Sequence, residues 1–223
     1  MRLRISHAAV VTVLGAAYTG LVVNALLVVA CLPFLVVLAA TDAARSWPLL
    51  AVLAPTTFPA FVATARVFAD ETDGVVRTFT GTWRSLWRRS ATLGAIASAV
   101  VTVLAVDIRA LFGREQGAVL IPVLAVLLAL AVVVTVHAVV VLSQVPDARL
   151  RDVIVWSALL GVRHWYLSLA SLLVLAVQLT FLNAEPVLAL GLTTAPLLYV
   201  VWANTSFALR RAIVPVAAAQ PVG

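Results

Sequence analysis

Six apolar runs divide the chain, and the short stretches between them hold nearly all of its charge. An α-helix needs about 20 mostly apolar residues to cross a hydrocarbon layer about 30 Å thick. In lipid the backbone has no water to bond, so a spanning segment is either a helix or part of a closed barrel. Runs of this length select the helix. They cover approximately Ala16–Ala40, Trp47–Ala69, Ala91–Val106, Ala118–Leu142, Trp165–Leu182 and Val187–Leu209. The third is short and gains length from Leu86 or from Leu111 and Phe112. Only Asn183, Ala184, Glu185 and Pro186 part the last two, which calls for a tight hairpin. Pro33, Pro55 and Pro59 are expected to kink or break the first two spans.

Composition supports the same solvent. Of the 223 residues, 64% are hydrophobic and 11% charged, against about 45–50% and about 25% in soluble domains. Too few polar residues remain to cover a soluble surface. The first apolar run is also too long for the apolar part of a signal peptide. The fold expected is an all-α polytopic bundle of about six transmembrane helices, forming one domain over residues 1–223.

All fifteen basic residues are arginine, and their distribution orients the bundle. Six spans put both termini on one side. That side carries Arg2, Arg4, Arg66, Arg77, Arg84, Arg88, Arg89, Arg149, Arg151, Arg163, Arg210 and Arg211. The other carries Arg45, Arg109 and Arg114. By the positive-inside rule both termini face the cytoplasm. The larger connections, 70–90 and 143–164, then face the cytoplasm as well.

The densest basic stretch is Thr82–Ser90, "TWRSLWRRS". On a helix running from Val75 to Ser90, Val75, Val76, Phe79, Trp83, Leu86 and Trp87 share an arc of about 120°. Arg77, Arg84 and Arg88 lie opposite, and Asp73 is a candidate N-cap. A nucleic-acid surface would set stacking aromatics beside its arginines; here they oppose each other, which argues against nucleic acid. The pattern fits a cytoplasmic interfacial helix, with its apolar arc in the acyl boundary and its arginines on anionic headgroups. Phe79, Trp83, Arg84, Trp87, Arg88 and Arg89 are therefore the candidate membrane-interface or partner-docking residues. A structural cover for the bundle explains the same stretch. Leu150–Ser168 repeats some of its spacing, with Arg151 and Arg163 matching Arg77 and Arg89, and suggests a span–interfacial helix–span repeat.

Within the spans, His137 is the one ionisable residue near the middle of a long run, and Asn24, Gln178 and Asn204 are the main neutral polar residues. Intramembrane polar residues are functional candidates by default. Here, however, His137 lacks a carboxylate or second histidine at helical spacing, and a bond across a helix interface explains both His137 and Asn204. Thr56, Thr57, Thr135 and Thr180 can bond their own helix backbone. Cys31, in apolar surroundings, reads as a packed thiol. The sequence carries no HExxH, phosphate loop, G-x-S-x-G or Cys/His cluster. The expectation is a protein that is not an enzyme and binds no cofactor or metal.

Several stretches together resemble the YesL-like bacterial integral membrane proteins, the domain of unknown function numbered 624, in its actinobacterial branch. They are "LPFLVVLAAT", "WPLLAVLAPTTFPAFVATARVFA", "VVRTFTGTWRSLWRRSATLGA", "VPDARLRDVIVWSALLGVRHWYLSLASLLVL" and "PLLYVVWANTSFALRR". The resemblance implies a non-enzymatic accessory or regulatory protein linked to carbohydrate uptake, with the permease of an ABC sugar transporter as partner. A small-solute transporter or channel is the alternative. Some members of that family carry a reductase label, for which this sequence has no nucleotide or flavin site.

Overall fold

The computed structural model describes residues 7–70, 73–184 and 193–218. Among them there is no strand. The helices are α1 (His7–Ala30), α2 (Leu32–Ala40), α3 (Ala43–Leu53), α4 (Phe58–Ala69), α5 (Val75–Leu111), α6 (Gly117–Gln144), α7 (Leu150–Arg163), α8 (Trp165–Ala184) and α9 (Thr194–Ala218), with a 3-10 turn at Ala54–Thr57. The chain is thus an all-α helical bundle.

Four stretches among the described residues are long and apolar enough to cross a membrane: Arg45–Ala69, Val75–Leu111, Gly117–Gln144 and Trp165–Leu182. A fifth is the pair Leu14–Ala30 and Leu32–Ala40, if it forms one span, and it bends by 73°. The run Ala16–Ala40 is therefore two helices, broken near Pro33 as expected. Pro33 causes the bend: it lacks the N–H that would bond Val29, and its ring clashes with that carbonyl. Pro55 acts similarly in the second run, where the α-helix tightens into the 3-10 turn before α4 restarts with Pro59 in its first turn. Thr56 and Thr57 return their hydroxyls to the carbonyls of Leu53 and Ala54, as expected of such threonines. The sixth run, Val187–Leu209, begins outside the described residues and continues as α9.

The largest departure is α5. No separate helix ends near Ser90. Val75 to Leu111 is one helix of 37 residues, about 55 Å long at 1.5 Å per residue. The apolar run and the arginine-bearing stretch lie on a common axis. Nothing between them breaks a helix, since there is no proline and Gly81 and Gly94 cost only propensity. The helix starts at Gly74, whose φ of 81° suits glycine, rather than at an Asp73 cap.

Helix α4 is the centre of the bundle. Pro59, Ala60, Val62, Ala63, Thr64, Ala65 and Val67 are all buried, and its alanines let neighbouring backbones come close. Ala60, Ala63 and Val67 meet Val23 and Leu27 of α1 and Val75 and Phe79 of α5. Val62 joins a second cluster with Leu86 and Leu93 of α5, Val141 and Leu142 of α6, and Val153 and Leu160 of α7. Thus α4 runs antiparallel to the first half of α5. The arginine-bearing end of α5 lies level with α4 and not beyond it. Helix α7 folds back along α6 in the same way, with Gly161 against Val133.

The two helix pairs share a pattern. Residues 70–74 link α4 to α5, and residues 145–149 link α6 to α7. They then differ, because α5 continues unbroken while α7 stops at Arg163 and α8 starts at Trp165.

The perimeter is apolar. Val52, Val103, Val119, Val126 and Leu173 are each more than half exposed, where a soluble protein would place charge. Trp156, Trp165 and Tyr166 are exposed near the arginine-rich end and Trp47 near the other, as in an aromatic belt.

Candidate functional site

The six residues singled out in the basic stretch separate into two groups. Phe79 is 3% exposed and belongs to the core beside α1 and α4. Trp83 packs against the same cluster and meets Trp87 edge-on, with ring centroids 4.9 Å apart. Trp87 is 37% exposed, and the side chains of Arg84 and Arg88 are exposed. The helical phase read from the sequence holds for Val75, Phe79 and Leu86, which are buried, whereas Val76 is half exposed.

Arg89 turns inward. Its Nη2 donates to the carbonyl of Ala148 at 2.5 Å. Arg66, at the end of α4, donates through Nη1 to the carbonyl of Ser143 at 3.4 Å and sits 3.9 Å from Asp70. Ser143 lies in the last turn of α6, whose carbonyls have no partners within the helix. The two arginines therefore tie the α4–α5 pair to the α6–α7 pair. One residue of helical phase, about 100°, separates the inward Arg89 from the outward Arg88. The outward-facing candidates left are Arg84, Arg88 and Trp87, joined by Arg77 on the same helix. Among the described residues none of these three arginines has an ionic partner.

The polar residues within the spans join helices. Asn24 Oδ1 accepts the backbone N–H of Ala195 at 2.8 Å, in the first turn of α9, where N–H groups are otherwise unpaired. Gln178 of α8 donates to Thr194 Oγ1 at 2.8 Å and accepts from Thr193 Oγ1 at 3.0 Å. Asn204 donates to Ser171 Oγ at 3.4 Å, a bond across helices as expected. His137, 1% exposed, does not bond across an interface: its Nδ1 meets the carbonyl of Val133, one turn back in its own helix, at 2.8 Å. That contact requires the proton on Nδ1.

A cavity of about 190 Å³ lies between α4, α6, α8 and α9. Phe58, Phe61, Ala65 and Phe68 line it from α4, Val136 and Val139 from α6, Leu175 from α8, and Leu198 and Trp202 from α9. Thr64 and Thr135 are its hydroxyl-bearing residues. Thr135 bonds the carbonyl of Ala131 at 2.7 Å. Thr64 Oγ1 and Trp202 Nε1 are buried without a partner among the described residues. The sequence held a signal for the cavity: Phe58, Phe61, Ala65 and Phe68 follow helical spacing, with Thr64 beside them.

No family model, curated protein or solved structure matches the chain.

Proposed function

We propose that this is a non-enzymatic accessory or regulatory protein of the bacterial cytoplasmic membrane, which docks a partner through the outer face of α5. Both termini and the connections 70–74 and 145–149 lie on the cytoplasmic side, following the arginine bias. The observation that carries the reading is the exposed cationic face of Arg77, Arg84 and Arg88, without an ionic partner among the described residues, beside the exposed Trp87. The opposite face of the helix is packed on α4, and the neighbouring pair is tied on by Arg66 and Arg89. A face held this way loses little conformational entropy on docking. Arginine beside tryptophan is also the composition of strong binding patches. Anionic lipid headgroups and an acidic surface on a permease both complement it. The permease of an ABC sugar transporter is the partner implied by the resemblance to YesL-like proteins.

The test is recovery of an identified permease or its ATPase from cells grown on sugar, with the wild type and with Arg84→Gln plus Arg88→Gln. The expected result is enrichment with the wild type and its loss with the variant, at unchanged membrane content. Absence of enrichment, or enrichment that survives the substitutions, refutes the docking role. A transporter of small polar solutes would want a polar path; the cavity between α4 and α9 has apolar walls.

A further inference from the structure

We propose that the outer face of α5 receives an acidic helix of a partner protein, which lies along it with carboxylates opposite Arg77, Arg84 and Arg88. This rests on the docking role of α5 and adds the chemistry of what docks. Seven and four residues part the three arginines. At about 100° per residue they fall within an arc of about 40°, one stripe along the helix. All three are exposed, and none has an ionic partner among the described residues. A positive stripe of this kind is complemented by negative charge at matching positions.

Length decides between the two anionic occupants. From Arg77 to Arg88 is 11 residues of rise, about 16 Å of axis. Helix α5 is one of the candidate spans, and membrane helices tilt by up to about 40°. Even at that tilt the stripe reaches about 13 Å along the bilayer normal. The side chains of a helix lean together toward its N-terminus, so the charges keep this spacing. One headgroup layer is about 5–8 Å thick, half the difference between the whole bilayer and its core. Lipid therefore meets only part of the stripe. A second helix can follow all of it, because its own contact face repeats at the same spacings.

Gly81 points the same way. It stands on the stripe between Arg77 and Arg84 and is exposed. Nothing lies within 4 Å of its would-be Cβ, so no neighbour in the bundle requires a glycine there. Its φ is not positive, so the backbone does not require one either. Glycine inside a helix lowers propensity; what it offers in exchange is a notch where another backbone comes close. Fluid headgroups have no use for the notch, whereas a packed helix does. Trp87, about 60° round from Arg84, adds exposed apolar surface at the flank.

The experiment places the full chain in nanodiscs of phosphatidylcholine, which has no net charge. Two labelled helical peptides of identical composition are titrated by fluorescence anisotropy. One carries glutamates at i, i+4, i+7 and i+11, which match the three arginines in either helix direction. The other has the same four glutamates spread around the helix. The striped peptide is expected to bind about tenfold tighter, as two or three exposed ion pairs would give. Arg84→Gln plus Arg88→Gln removes charge, and Gly81→Leu fills the notch while keeping the charge and a good helix former. Each is expected to bring the ratio of affinities to near one. Equal binding of both peptides by the wild type overturns the proposal, as does a tenfold ratio that survives Gly81→Leu. Binding of neither peptide overturns it too; phosphatidylglycerol retained by the purified wild type and lost from the arginine variant then assigns the face to lipid. Recovery of the permease, measured separately, tells in each case whether the docking role falls as well.

Discussion

Gly94 offers a direct test of how closely α5 is pressed against the turn that precedes α4. A Cβ at this position would lie 2.6 Å from Phe58 Cδ2, 2.7 Å from Phe58 Cγ and 2.9 Å from Pro55 Cα. Carbon atoms ordinarily rest about 3.5–4.0 Å apart, so the phenylalanine and the backbone of the 3-10 turn must both give way by more than half an ångström. The turn resists, because Thr56 and Thr57 bond its carbonyls and Phe58 packs on the core behind it. Overpacking of this kind costs about 1–3 kcal/mol. Against it, replacing glycine by alanine inside a helix gains about 1 kcal/mol of propensity. Gly81, in the same helix, supplies the propensity gain by itself, since nothing lies within 4 Å of its would-be Cβ. Gly81→Ala is therefore expected to stabilise by about 1 kcal/mol. Gly94→Ala is expected to fall below it by about 1–3 kcal/mol, the contact term. Reversible unfolding in mixed micelles, followed by tryptophan fluorescence, measures both. If the two variants agree within about 0.5 kcal/mol, α5 does not press on Pro55 and Phe58, and the antiparallel packing of α4 on α5 is wrong at its tightest point.

Two further substitutions test the links between helices. Arg89→Met keeps the apolar stem but loses the bond to Ala148, and should cost about 1–2 kcal/mol, the lower part of the range for a charged donor because the bond is only partly buried. The outward Arg88→Gln should stay within about 0.5 kcal/mol in the same assay. Asn24→Ala strands the N–H of Ala195 at the start of α9. The expected loss is about 0.6–1.7 kcal/mol, the measured span for bonds between membrane helices. It should be joined by faster hydrogen exchange at Ala195 and unchanged exchange at Asn204.

What could be read from the sequence follows from which physical signals are local. Proline acts on its own helix, so the break at Pro33 and the tightening at Pro55 were visible without neighbours. Length and apolar content are likewise local, and the candidate spans follow from them. The end drawn for a helix near Ser90 failed because it rested on polarity. The change from "TWRSLWRRS" to "ATLGAIASAV" marks where the surroundings change and puts no strain on the backbone. A proline or a glycine with positive φ stops a helix locally, and between Val75 and Leu111 neither occurs. Phase also has limits: a helical wheel sorts Phe79 from Arg84, but it cannot tell that Arg89 has a carbonyl on another helix within reach. The cavity was legible only on its α4 wall, in the helical spacing of Phe58, Phe61, Ala65 and Phe68, because its other walls come from three further helices. A basic stretch after an apolar run therefore reports depth, and depth does not decide whether the helix turns. In this chain α5 continues unturned from Val75 to Leu111, so Arg84, Trp87 and Arg88 stand exposed along the side of one continuous helix, on the flank of the bundle.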